Sequence, residues 1–107
     1  MKEDKLLHLL KKKKGFFETI LDLTETETDL PFHDWIAVLE QKKILLSCVD
    51  ELDAEIYPFQ RNMAHLSQEI SEELEEIRKV IRTILQLDSD NQTKRKQELK
   101  PDARRSH

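Results

Sequence analysis

Histidine, cysteine, carboxylate and lysine side chains are the groups in this chain able to do chemistry, and their spacing decides how far that goes. The four histidines, His8, His33, His65 and His107, are scattered, and no two stand at metal-ligand spacing. His33 beside Asp34 comes nearest to an acid–base pair, but it reads as the polar entrance of a helix. Helical di-metal sites use inward-facing Glu-x-x-His pairs, and the sequence has none. Asp50, Asp53 and Glu55 fall where a helix faces solvent and read as solvated charges. Gly15 is the only glycine, with no companion for a phosphate-cradling loop. Cys48 sits among Leu45, Leu46, Val49 and Leu52 as a small packed side chain, and a single cysteine excludes an intrachain disulfide. The expectation is a protein without catalytic residues, metal ligands or a cofactor.

The elements that would position these groups are helices. Among 107 residues, 37% are charged and 37% apolar, with one glycine and the three prolines Pro31, Pro58 and Pro101. So few turn formers argue against hairpins, and the apolar residues recur near every 3.6 positions without strict alternation. The pattern predicts an all-α fold, an antiparallel bundle of three long helices over residues 1–87, followed by a disordered polar tail over 88–107.

The first helix is expected from Glu3 to about Thr26, with a broad face of Leu6, Leu7, Leu9, Leu10, Phe16, Phe17, Ile20, Leu21 and Leu23. Gly15 inside it costs about 1 kcal/mol relative to alanine, so either a neighbour approaches closely there or the helix bends. Leu30, Pro31 and Phe32 begin a second helix, with Asp29 or Asp34 as its cap. That helix keeps Trp35, Val38, Leu39, Leu45, Leu46, Val49, Leu52 and Ile56 on one stripe and is expected at the centre of the bundle. Pro58 either turns the chain or kinks a continuous helix; a turn is favoured, because a single long rod would leave the first helix little to fold against. The third helix, Phe59 to Leu87, carries Met63, Leu66, Ile70, Leu74, Ile77, Val80, Ile81, Ile84 and Leu87, with Glu75 to Lys79 as a favourable surface pair. Each segment is about 33–44 Å long at ~1.5 Å per residue, matched for antiparallel packing.

Charge is uneven along the chain. Residues 1–87 carry twelve Lys and Arg against eighteen Asp and Glu, while 88–107 carry six against four. The net charge of -4 gives no drive toward nucleic acid, and Lys94-Arg95-Lys96 lacks interleaved aromatics. Lys11 to Lys14 point in nearly every direction on a helix, so at least one must run its stem along the apolar side. A solvated surface balancing the acidic second and third helices is favoured over a basic docking patch. Beyond Leu87 only Leu99 and Ala103 are apolar, so the tail reads as disordered or as ordering against a partner. No apolar run reaches membrane-spanning length, and the lysines cut short any signal-peptide core, so a soluble cytoplasmic protein without membrane insertion is expected.

Two segments, LLHLLKKKKGFFETILDLTET from Leu6 to Thr26 and LEQKKILLSCVDELDAEI from Leu39 to Ile56, together resemble the flagellar export chaperones of the FlgN type, with the FliT type similar in plan. The resemblance spans about residues 5–87. It implies a small cytoplasmic chaperone that binds a hook-filament junction or filament-cap subunit before type III export, prevents premature assembly, and meets the export machinery through its C-terminal part. On that reading the first two helices are scaffold, and cargo binding falls to Ile70, Leu74, Ile77, Ile81 and Ile84. The short C-terminal part, without an aromatic in its tail, departs from the family pattern. Physical reasoning alone leads to a partner helix laid into an open groove, and to a homodimer that cargo displaces. A non-enzymatic dimeric scaffold or regulatory adaptor is the alternative.

Overall fold

A computed structural model describes residues 2–59 and 67–98. The expectations resting on Met63, His65, Leu66, Leu99, Ala103 and His107 lie outside the described residues. Three helices make up the fold: α1, Lys2–Glu27; α2, Phe32–Ile56; and α3, Gln68–Glu98.

Their boundaries follow from local chemistry. Pro31 is extended and occupies the N-cap of α2, where its carbonyl accepts hydrogen bonds from the Asp34 and Trp35 amides at 3.0 and 3.2 Å. No side chain caps this end, so neither Asp29 nor Asp34 plays the expected role. Asp34 instead sits in the first turn, where a carboxylate complements the positive end of the helix dipole. At the far end α2 stops at Ile56, followed by a 3-10 turn over 57–59. Ser67 caps α3, its hydroxyl oxygen accepting from the Ile70 amide at 3.3 Å.

Cross-links between helices define the topology. Lys13 near the middle of α1 reaches Asp53 late in α2, Lys14 reaches Glu73 early in α3, and Glu27 ending α1 meets Lys42 of α2. Asn91 late in α3 lies beside Thr24 and Thr28. The arrangement is therefore up-down-up, with α2 antiparallel to both neighbours, and the chain reverses after Pro58 instead of continuing as one rod.

α1, not α2, is the central helix. It packs along both others, whose backbones scarcely approach each other. The reason is the width of its apolar face: Leu6, Leu9 and Leu10 join Leu52 and Ile56 of α2 and Ile70 and Ile77 of α3 in one core. Leu7, Phe16, Phe17, Phe59, Leu74 and Ile81 pack at its edge. Each fully buried leucine or isoleucine contributes about 1.5–3 kcal/mol. A Cβ at Gly15 would meet no atom within 4 Å, which excludes a close approach there.

The boundary expected after Leu87 is also corrected. α3 continues about three turns further, to Glu98, with Asn91 and Arg95 buried.

Candidate functional site

The five residues expected to receive a partner belong to the intramolecular seam. Ile70, Ile77 and Ile84 are buried, and Leu74 and Ile81 are partly buried against the core. Spacings of four and three carry this stripe from Ile70 through Leu74, Ile77, Ile81 and Ile84 to Asp88, Asn91 and Arg95. The stripe does not end at Leu87; it changes chemistry. Sequence reading based on apolar periodicity stopped where the side chains became polar, although the spacing persisted.

Those polar positions build a joint against the end of α1. Lys42 donates to Asp88 Oδ1 at 2.7 Å and to Glu27 Oε1 at 3.3 Å, and the Glu27 and Lys42 side chains are only 3% and 9% exposed. Asn91 Nδ2 donates to Glu27 Oε2 and to the Thr24 carbonyl, both at 3.2 Å, while the Thr28 hydroxyl donates to Asn91 Oδ1 at 3.0 Å. Arg95 Nη2 donates to the carbonyls of Glu27 and Leu30 at 2.9 and 2.8 Å, and Lys94 donates to the Thr28 carbonyl at 2.8 Å. The last carbonyls of a helix lack intrahelical partners and carry partial negative charge, so cationic side chains from α3 satisfy both needs. The Arg95 guanidinium also lies 5.5 Å from the Trp35 ring centroid, within cation–π range, and Phe32 tilts against the same ring. The chemistry of this joint is structural: it caps α1 and sets the register of three helices.

A second polar cluster lies at the other end of the bundle. Leu7, Lys11, Glu69, Glu72, Glu73 and Glu76 line a shallow cleft of about 190 Å³. Lys14 donates to Glu76 Oε2 at 2.7 Å and Glu73 Oε1 at 3.1 Å. The hydrogen bond from Lys14, reinforced by its charge, holds the Glu76 carboxyl below its ordinary range; the bonds to Glu76 and then Glu73 raise the Lys14 ammonium above its own. Lys13 reaches α2 and Lys14 reaches α3, so the lysine run does tie the acidic helices to α1. Glu75 pairs with Arg78 and Arg82 at 3.4 and 3.3 Å, not with Lys79. Among the described residues no group of three His, Cys, Asp or Glu side chains is placed to hold a metal ion. His33 and Asp34 are both exposed, with 3.5 Å between them, and Cys48 is half-buried.

Apolar side chains remain on the outside. Phe32, Ile36, Ile44, Leu46, Tyr57 and Leu85 are large and exposed. Helical register sorts them into two faces. Ile44 lies on the flank of α2 that also carries Cys48, turned away from Leu46, and Leu85 lies on the flank of α3 that carries Leu74 and Ile81. The Lys42–Asp88 bridge and the Arg95–Trp35 contact mark the side of α2 that meets α3. Ile44, two positions after Lys42, points away from that side, while Leu85 borders the seam along which α2 and α3 fail to pack closely. Phe32, Ile36, Leu46 and Tyr57 share the other flank of α2. Leu46, expected on the core stripe, stands one position off the buried set Val38, Lys42, Val49, Leu52 and Ile56 and so turns outward.

Among the described residues no helix is long and apolar enough to cross a membrane. Comparison of the chain with protein-family models, with curated proteins and with solved structures finds no match.

Proposed function

We propose that this chain is a non-catalytic chaperone of the flagellar export type that holds a helical segment of its cargo along the α2–α3 seam. One observation carries the reading: α1 covers both neighbours while α2 and α3 stand apart, leaving Leu85 exposed beside the gap. A cargo helix with apolar anchors at three- and four-residue spacing fills such a gap as a fourth member of the bundle. Leu74 and Ile81, half-buried beneath the seam, extend its floor, so two of the five residues assigned to cargo still border the partner. Ile70, Ile77 and Ile84 support that floor from within. The motifs from Leu6 to Thr26 and Leu39 to Ile56 supply the cargo class: a hook-filament junction or filament-cap subunit, bound in the cytoplasm and kept from assembling because its own helix is occupied.

The test is co-purification of the full chain with subunits of both classes, alongside Leu85→Asp. This side chain is 61% exposed, so the fold should be little affected. Binding is expected, weakened roughly tenfold or more by the substitution, since a buried interface carboxylate without a partner is costly. Failure of folded wild-type protein to bind either class overturns the reading.

A further inference from the structure

α2 carries two stripes at three- and four-residue spacing, displaced by one position. The inner stripe, Trp35, Val38, Lys42, Leu45, Val49, Leu52 and Ile56, is used within the bundle. The outer stripe runs Phe32, Ile36, Leu39, Lys43, Leu46, Asp50, Asp53, Tyr57. Of these, Asp53 is held by Lys13, while Phe32, Ile36, Leu46 and Tyr57 are 44%, 53%, 45% and 64% exposed. Such spacing is the seam of a helix pair, and among the described residues no second helix packs along it.

The two charges that interrupt the stripe specify what does. Lys43 and Asp50 flank Leu46, three positions before it and four after. They are about 10 Å apart along the axis and do not pair with each other in the structure. Asp50 makes no ion pair among the described residues, and Lys43 has only a 3.6 Å contact with Glu40 between largely exposed side chains. A twofold axis beside Leu46 sets Lys43 opposite the second copy's Asp50, and Asp50 opposite its Lys43. The same rotation brings Leu46 against its own copy, Ile36 against Tyr57, and Leu39 against the small Ala54. A parallel arrangement would oppose lysine to lysine and aspartate to aspartate.

We propose that the outer face of α2 pairs with the same face of a second copy, antiparallel, with Lys43 and Asp50 forming two symmetric ion pairs around a Leu46 contact. The surface is self-complementary, as a twofold interface requires. It is one helix wide and belongs to the small class of interfaces, so the dimer forms and dissociates with concentration. The inference does not depend on cargo.

Sedimentation of the full chain over a wide concentration range tests it, with Lys43→Asp, Asp50→Lys and the double exchange. Symmetry doubles each substitution, so either single reversal is expected to weaken the dimer roughly tenfold or more, and the double exchange to restore it. In a Cys48→Ser background, Leu46→Cys should give a covalent dimer under mild oxidation, whereas Ile44→Cys on the other flank should not. A wild-type chain that stays monomeric, as expected if a foreign helix is the occupant, overturns the proposal. So does a dimer indifferent to the single reversals, or one that the double exchange weakens as much as they do.

Discussion

Replacing Lys42 by methionine tests the account of the polar joint. Methionine has nearly the length of the lysine stem and good helix propensity, so the substitution removes the charge with little change in packing. Glu27, 3% exposed, then keeps only the bond from Asn91 Nδ2 at 3.2 Å, while Asp88, about a third exposed, turns to water. Breaking one partner of a buried ion pair costs about 3–5 kcal/mol. The remaining Asn91 bond places the cost near the lower end, about 3 kcal/mol. Glu27→Gln is milder, about 1–2 kcal/mol, because Lys42 retains Asp88 at 2.7 Å. The double variant Lys42→Met, Glu27→Gln leaves no unpaired buried charge and should lie within about 1 kcal/mol of wild type. The two effects are then strongly non-additive, with a coupling of roughly 3 kcal/mol. Urea unfolding followed by far-UV circular dichroism, with Trp35 fluorescence as a second probe, measures each variant. A cost below about 1 kcal/mol for Lys42→Met, or simple additivity in the double variant, would refute the claim that these charges are desolvated and interdependent.

Two further outcomes follow from single observations. Gly15→Ala should stabilise the protein by about 0.5–1 kcal/mol in the same unfolding assay, because the added Cβ enters open space in a helix interior; a loss of stability would mean that α1 depends on a local bend. Glu76 titrates below its ordinary 4.5 because of Lys14, so its contribution is present above that value and is lost as pH falls through the depressed one. Lys14 titrates above 10.5, so its contribution holds below that value and is lost as pH rises through the raised one. Lys14→Met should flatten both limbs of the stability–pH curve, and an unchanged curve would exclude the contact.

Much of the bundle was legible in residue order because burial of a helix face imposes a period that the sequence displays directly. Leu6, Leu9, Leu10, Leu52, Ile56, Ile70 and Ile77 carry that period and form the core. Pro58 marked a reversal because proline disfavours continuation of a helix through the residue before it. The last turns of α3 were missed because Asp88, Asn91 and Arg95 satisfy the same spacing with hydrogen bonds, and composition alone gives no sign that a polar side chain has a buried partner. The assignment of Ile70, Leu74, Ile77, Ile81 and Ile84 to cargo met a related difficulty: an apolar stripe has the same appearance whether it is covered from within the chain or from outside.

Residue order by itself determined that the chain is helical and where most of its apolar side chains run, since these depend on local geometry and spacing. Tertiary structure decided which stripes are occupied. α1 took the centre because its face is wide enough for two neighbours, and the outer face of α2 remained uncovered because the inner one had already met α1. That choice depends on competition among all the apolar faces for a limited core, which no single segment contains.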